Sequence, residues 1–292
     1  MQKHDLAIIG AGPVGMALAL ALKDSGLDIV LLDARARGAA RHDPRVLALS
    51  HGTRLTLERL GIWAQLPVTA IETIHISQQG GLGRTVLSAD EYGQPALGYV
   101  VAAGALAAAL DDALQAAAIP VRDHATVIGI AAGADDAIVS LADGSHLSSR
   151  LAACAEGAIA GDDHSVLVEH DYAQHAVISV ATPAASHGGR AWERFTPQGP
   201  LAVLPCGQDC AIVHTAEPAA ADALMALDDG AYLARLQSHF GDRLRFASVG
   251  PRTRFPLKLR YRPNPVGQRT VWLGNAAQTL HPVAGQGYNL AL

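Results

Sequence analysis

Leu6-Ala7-Ile8-Ile9-Gly10-Ala11-Gly12-Pro13-Val14-Gly15, answered by Ile29-Val30-Leu31-Leu32-Asp33, is the stretch that decides the fold. Leu6 to Ile9 is an apolar run of strand length, and the glycine turn leads into an apolar helical stretch ending near Lys23. Gly26 suits the position after a helix, because glycine takes a left-handed backbone without steric cost. Ile29 to Leu32 reads as a second strand, so the opening is βαβ. Parallel strands of this kind imply an α/β sheet covered on both faces. Within Gly10-x-Gly12-x-x-Gly15, the first glycine permits a tight turn, the second lets backbone approach a pyrophosphate, and the third allows close helix–strand packing. A diphosphate then rests beside Pro13 and Val14, on unpaired N–H groups at the positive end of the helix dipole. Asp33 stands at a strand end, 18 residues after Gly15. There its carboxylate would accept hydrogen bonds from an adenosine ribose and repel the 2′-phosphate of NADP. This segment specifies a dinucleotide and leaves FAD and NAD both open.

The bulk properties bound the rest. A chain of 292 residues supports one large domain or two joined ones. Apolar residues make up 50% and charged residues 17%, which fits burial of a large apolar ligand and equally an alanine-favouring genome. A net charge of −5 without any basic stripe argues against nucleic acid as a partner. Cys154, Cys206 and Cys210 lack a second ligand pair, so reduced thiols are expected and no metal. No charged leader precedes the first strand, and the apolar run Val100 to Leu110 is too short to span a bilayer. A cytoplasmic location is expected, with no transmembrane segment.

Beyond the opening, a helix is expected over Leu55 to Leu66 and another over Leu106 to Ala117. Short strands are expected at 73–77, 85–87, 120–122, 126–131 and 137–141. Asp143-Gly144 marks a hairpin into a strand at His146 to Ala153. Tyr172 to Thr215 and Arg245 to Lys258 read as antiparallel sheet, with a helix at Tyr232 to Phe240. The two sheet regions interleave, so the domains are expected to be discontinuous: 1–72, 97–166 and 268–292 for the nucleotide, 73–96 and 167–267 for a substrate.

At the far end, Val271 to Leu273 runs into Gly274-Asn275-Ala276-Ala277-Gln278-Thr279-Leu280-His281-Pro282-Val283-Ala284-Gly285-Gln286-Gly287-Tyr288-Asn289-Leu290. This resembles the second FAD fingerprint of the flavoprotein aromatic hydroxylases. Asp43-Pro44-Arg45-Val46-Leu47-Ala48-Leu49-Ser50 resembles that family's arginine segment against the cofactor. The stretch Gly189-Arg190-Ala191-Trp192-Glu193-Arg194-Phe195-Thr196-Pro197-Gln198-Gly199-Pro200 resembles the substrate-domain strands of the 2-polyprenyl-6-methoxyphenol hydroxylases of ubiquinone biosynthesis. That resemblance implies an α/β fold of p-hydroxybenzoate-hydroxylase type, a Rossmann-like FAD domain interleaved with a mixed, largely antiparallel substrate domain. It implies FAD as cofactor, NAD(P)H as electron donor and a prenylated phenol as substrate, hydroxylated through a flavin C4a-hydroperoxide. A quinone-biosynthesis protein assembly and peripheral membrane contact come with it as possible partners.

The residues carried over as cofactor contacts are Gly10, Gly12, Pro13, Val14, Gly15, Asp33, Arg45, Glu156, Gly274, Asn275, Pro282, Gly285, Gln286, Gly287, Tyr288 and Asn289. His281 and Pro282 are expected near the flavin, and the α-helix starting at Tyr288 is expected to aim its positive end at the ring. Trp192 and Phe195 are candidates for the substrate pocket or for plain core. Departures from the family pattern are clear in two places. Ala155-Glu156-Gly157 stands where an Asp-Gly motif is usual, with no Lys or Arg between Arg150 and Arg190. Relatives also continue beyond the position of Leu292, so the chain is expected to be shorter at its C-terminus. These departures support the alternative, a non-catalytic relative or accessory subunit. Asp162-Asp163-His164-Ser165 reads as a loop rather than a hydrolase triad.

Overall fold

The structure, a computed structural model, describes residues 2–156, 167–281 and 285–292. The opening unit is β1 (Gln2–Ile9), α1 (Pro13–Ala21) and β2 (Ile29–Leu32). Next come β3 (Val46–Leu49), α2 (His51–Arg59), β4 (Thr69–Ile71), β5 (Thr73–Gln78), β6 (Arg84–Ser88) and β7 (Gly98–Ala102). The chain returns through α3 (Ala103–Ala116), then β8 (Val121–Arg122), β9 (Val127–Ala132), β10 (Ala137–Leu141) and β11 (His146–Cys154). Its second half holds β12 (Val168–Pro183), β13 (Arg190–Thr196), β14 (Gly199–Cys206), β15 (Asp209–Ala216), α4 (Pro218–Ala226) and α5 (Asp229–Phe240). The remaining elements are β16 (Phe246–Val249), β17 (Thr253–Tyr261), β18 (Val266–Gly267), β19 (Thr270–Trp272), β20 (Gln278–Thr279) and α6 (Gly287–Ala291).

One sheet runs β18-β19-β11-β1-β2-β8, with β10 and β9 continuing antiparallel from β11. Strand β1 lies parallel to both β2 and β11, and β11 lies parallel to β19. Three segments remote in sequence therefore end side by side. The all-apolar reading of Leu6 to Ile9 follows from this central place, where alternate residues face opposite layers. Leu6 and Ile8 pack with Met16, Leu20, Leu106 and Leu110 under α1 and α3, whereas Ala7 and Ile9 pack with Val127, Val139 and Leu141 beneath β9 and β10.

The second sheet runs β20-β17-β12-β15-β14-β13-β5-β6, with β16 added on β12. It is antiparallel except where β13 meets β5, a parallel contact that the antiparallel reading of Tyr172 to Thr215 did not anticipate. One face is roofed by α4 and α5, whose Leu224, Tyr232, Leu236 and Phe240 pack on Val177, Trp192, Leu201 and Ile212. The other face is turned toward β3, β4 and the C-terminal segment. A small third sheet, β3-β7-β4, lies at that boundary.

Two expectations need correction. The helix read at Leu55 to Leu66 starts earlier and stops sooner: Ser50 Oγ accepts the Thr53 N–H as its cap, and Gly61 leaves helical space at φ +78°. A short 3-10 turn, Trp63–Gln65, makes up the remainder. Helix α4 was not anticipated, although Pro218 occupies its first turn, where a missing N–H costs nothing. Among the described residues no helix is long and apolar enough to cross a membrane.

Candidate functional site

The glycine turn between β1 and α1 is as tight as its residues allow. Gly10 sits at φ +102° and donates its N–H to Leu32 O at 2.7 Å. A Cβ on Gly15 would fall 2.0 Å from Gly10 O and 3.2 Å from Ile8 Cγ2, so strand and helix touch backbone to side chain there. Gly12 differs, since a Cβ built on it meets nothing within 4 Å. It is the N-cap of α1, and no side chain caps the helix. Pro13 starts the helix, the first-turn N–H groups have no side-chain cap, and the space beside Gly12 is open. That is the geometry of an anion seat.

Asp33 closes the turn from β2. Its Oδ2 accepts the Ala11 N–H at 2.8 Å, and its Oδ1 accepts the Arg35 N–H at 2.8 Å. The Arg35 guanidinium adds two further bonds, Nε to Oδ1 at 3.0 Å and Nη2 to Oδ2 at 2.9 Å. Burial pushes the Asp33 carboxyl up, but the Arg35 side chain and the backbone N–H groups outweigh it and leave the group below its ordinary value. Arg35 thus covers the Asp33 carboxylate, with 54% of its own side chain exposed. Beside this pair Glu156 is raised, first by burial and then by repulsion from Asp33.

The two glycine motifs meet. Gly274, at φ +55°, lies so close to Val14 that a Cβ would fall 3.0 Å from Val14 Cγ2. Gly285, at φ +59°, lies against Ala48 in the same way, at 3.2 Å from its Cβ. Asn289 ties this segment down. Its Oδ1 accepts the Ser50 N–H and the Thr53 Oγ1–H, each at 2.8 Å, and its Nδ2 donates to Ala48 O at 2.8 Å and Gly285 O at 2.9 Å. An amide has room for about four such bonds, so Asn289 is a brace between the C-terminal segment and the β3–α2 junction. Asn275, Gln286 and Gly287 are exposed on the segment, while the Tyr288 hydroxyl is buried and its pKa raised by that burial. His281 stacks edge-on against Tyr172 at 4.9 Å and is lowered by burial. Arg45 turns to Asp43, with Nε 2.9 Å from Oδ1. Pro282, Gly157 and Ser165 lie outside the described residues.

Between the helix-free face of the second sheet and the wall formed by Ala48, Ile71 and Gly285 is a cavity of about 280 Å³. Its lining is apolar, with Ile74, Ile76, Ala202, Leu204 and Val213 among the walls. The exceptions are Thr215 and Glu193, and the Glu193 Oε1 is buried with no hydrogen-bond partner while burial pushes its carboxyl up to about 7. The sequence pointed to its neighbours instead. Trp192 packs edge-on against Phe240 at 5.7 Å under the helical roof, although it also borders the cavity, and Phe195 is 45% exposed. The signal for Glu193 was strand alternation: Ala191 and Glu193 share one face of β13, Trp192 and Arg194 the other.

Comparison with known proteins places this geometry. A family model described as FAD binding domain matches residues 3–292. The ubiquinone hydroxylase UbiL of Rhodospirillum rubrum is 31% identical over 302 residues, covering 99% of this chain and 70% of the relative. The 3-demethoxyubiquinol 3-hydroxylase of Escherichia coli is 29% identical, covering 99% of this chain and 77% of the relative. Among solved structures, p-nitrophenol 4-monooxygenase PnpA from Pseudomonas putida superposes with a TM-score of 0.76 at 18% identity, over 99% of this chain and 76% of its own. The fold is that of p-hydroxybenzoate hydroxylase. An open glycine at an uncapped helix start, a carboxylate at the next strand end and a second glycine segment packed on Val14 all fit FAD. The chain belongs to the FAD binding domain family.

Proposed function

We propose that this chain is an FAD-dependent monooxygenase that hydroxylates a prenylated phenol on the way to a quinone, with NAD(P)H as electron donor. The observation that carries this reading is the apolar cavity that meets the C-terminal cofactor segment at Gly285 and Ala48. The relatives named for ubiquinone hydroxylation support it. FAD, when bound, supplies activation of oxygen and delivery of one oxygen atom to the ring. The protein's own part is to hold and to exclude. Gly12 and the start of α1 take the pyrophosphate, Asp33 takes the ribose once Arg35 swings out, and the sheet wall keeps water from the ring. In this reading residues 1–72, 97–166 and 268–292 serve the nucleotide, and 73–96 and 167–267 serve the substrate. A prenyl tail gains roughly 0.8 kcal/mol per buried CH₂, which supports the reading that the protein meets its substrate at a membrane surface or in an assembly carrying such intermediates.

The test is direct. Purified chain should carry flavin absorbance, oxidise NAD(P)H only when a prenylated phenol is supplied, and yield product with one added oxygen atom by mass spectrometry. A flavin-free protein that cannot be reconstituted, or NAD(P)H oxidation indifferent to the phenol, would sink the reading. A second expectation concerns Asp33. A charge-assisted hydrogen bond contributes roughly 1.5–3 kcal/mol, so Asp33→Ala should weaken FAD about ten- to a hundredfold in a flavin titration. An unchanged dissociation constant would leave Asp33 as a cap for Ala11 and Arg35 alone.

A further inference from the structure

A carboxyl in an apolar cavity needs a reason. Glu193 lies at the middle of β13, opposite Ala202 of β14 and Ile76 of β5. Its neighbours in the strand, Trp192 and Arg194, point to the helical side, where Arg194 donates to His239 O at 2.8 Å. Glu193 instead enters the cavity. From β5 the cavity receives Ile74 and Ile76, from β14 Pro200, Ala202 and Leu204, and from β15 Val213 and Thr215. The opposite wall contributes Ala48, Ile71 and Gly285. None of these can titrate, so Glu193 is the single ionisable side chain among the described lining residues. Its Oε1 has no partner, and burying an unpaired polar atom is costly. A ligand that brings a donor removes that cost.

Resting on the hydroxylase reading, we propose that Glu193 binds the ring hydroxyl of the substrate, accepts its proton as the ring is attacked, and restricts the pocket to neutral phenols. In that step the phenol O–H bond breaks and a carboxyl O–H bond forms. The negative charge passes from Glu193 to the phenol oxygen and into the ring, which becomes richer in electrons at the adjacent carbon. The environment suits the role, since burial alone raises Glu193 from 4.5 to about 7. With a phenol near 10, the gap that a proton must climb shrinks from about 5.5 to about 3. The carboxyl must be ionised to act, so turnover should rise with pH through about 7. An aromatic carboxylate meets no cation among the described lining residues and faces the Glu193 charge, which disfavours it.

The experiment uses the flavin-loaded chain and two variants, Glu193→Gln and Glu193→Leu, with 2-prenylphenol and its methyl ether 2-prenylanisole as probes. Glu193→Gln keeps an acceptor and loses the base. It should cut phenol turnover roughly a hundredfold and flatten the pH profile, with KM little changed. Glu193→Leu should also lose the preference of the parent chain for phenol over ether, expected to be roughly tenfold in tryptophan-fluorescence titrations. Flavin occupancy should be the same in all three proteins. Equal turnover with an equal pH profile in Glu193→Gln would overturn the assignment. If the parent binds flavin yet hydroxylates no phenol, the hydroxylase reading fails, and the titrations still decide the question. A phenol preference lost in Glu193→Leu upholds Glu193 as the hydroxyl anchor, and one equal across the three proteins overturns it.

Discussion

Gly12→Val is expected to leave a folded chain that holds flavin poorly, whereas Gly15→Val is expected to lower the stability of the fold itself. The contrast follows from where each Cβ would go. At Gly12 it enters open space proposed for the pyrophosphate, and nothing in the protein lies within 4 Å of it. Several charge-assisted bonds of roughly 1.5–3 kcal/mol are lost together, so FAD binding should fall by roughly a hundredfold or more. The Cβ at Gly15 would fall 2.0 Å from the backbone oxygen of Gly10, and no rotamer relieves it because χ rotation does not move a Cβ. The cost exceeds the ~1–3 kcal/mol typical of overpacked cores. Against a total stability of about 5–15 kcal/mol, this should lower the melting temperature by roughly 10 °C or more. Flavin titration and thermal melts of the two variants check both halves. Parent-like flavin affinity in Gly12→Val would remove the pyrophosphate from this turn.

The second large effect belongs to Asn289. Its four hydrogen bonds reach Ala48, Ser50, Thr53 and Gly285, and Ser50 is itself the cap of α2. At about 1 kcal/mol each and allowing for partial replacement by water, Asn289→Ala should cost about 3 kcal/mol. The loss would fall on the docking of residues 285–292 against β3 and α2. If flavin binding requires that docking, affinity drops by about two decades. Asn289→Asp keeps both accepted bonds and loses both donated ones, so it should lie between. The measurement is amide exchange at Ser50 and Thr53 together with flavin affinity. Unaltered exchange and affinity in the alanine variant would show that α6 is held by something else.

How much of this was legible in the sequence depends on the reach of each interaction. The Gly10–Gly15 turn and Asp33 could be read because a strand, a turn and a helix over a few dozen residues constrain one another locally. The C-terminal segment could be read through its resemblance to known flavoproteins, but the job of Asn289 could not. Its partners around Ser50 lie at the other end of the chain, and no periodicity reports them. The Arg35 guanidinium across Asp33 is a rotamer choice, which sequence leaves open. Glu193 was passed over for a related reason. An acidic residue alternating with apolar ones on a strand ordinarily marks the solvent face, and here tertiary packing turned that face inward. Helix α4 was missed because its Pro218-Ala219-Ala220-Ala221 opening lacks a contrasting polar face to mark a period.

The order of strands in the first sheet has a consequence for how the protein is made. A ribosome releases β1 first, yet its neighbour β11 emerges some 140 residues later, and β19, which completes that edge, later still. Synthesis at roughly 5–20 residues per second leaves the glycine turn waiting many seconds for its partners. Until β19 leaves the tunnel, Gly274 cannot settle on Val14, and half of the cradle proposed for the flavin is absent. Nascent chains stalled before residue 265 should therefore capture no flavin even though the whole opening βαβ unit is already exposed. Cofactor loading becomes a late checkpoint of biosynthesis, and the young chain must keep its apolar β1 edge from other partners until then.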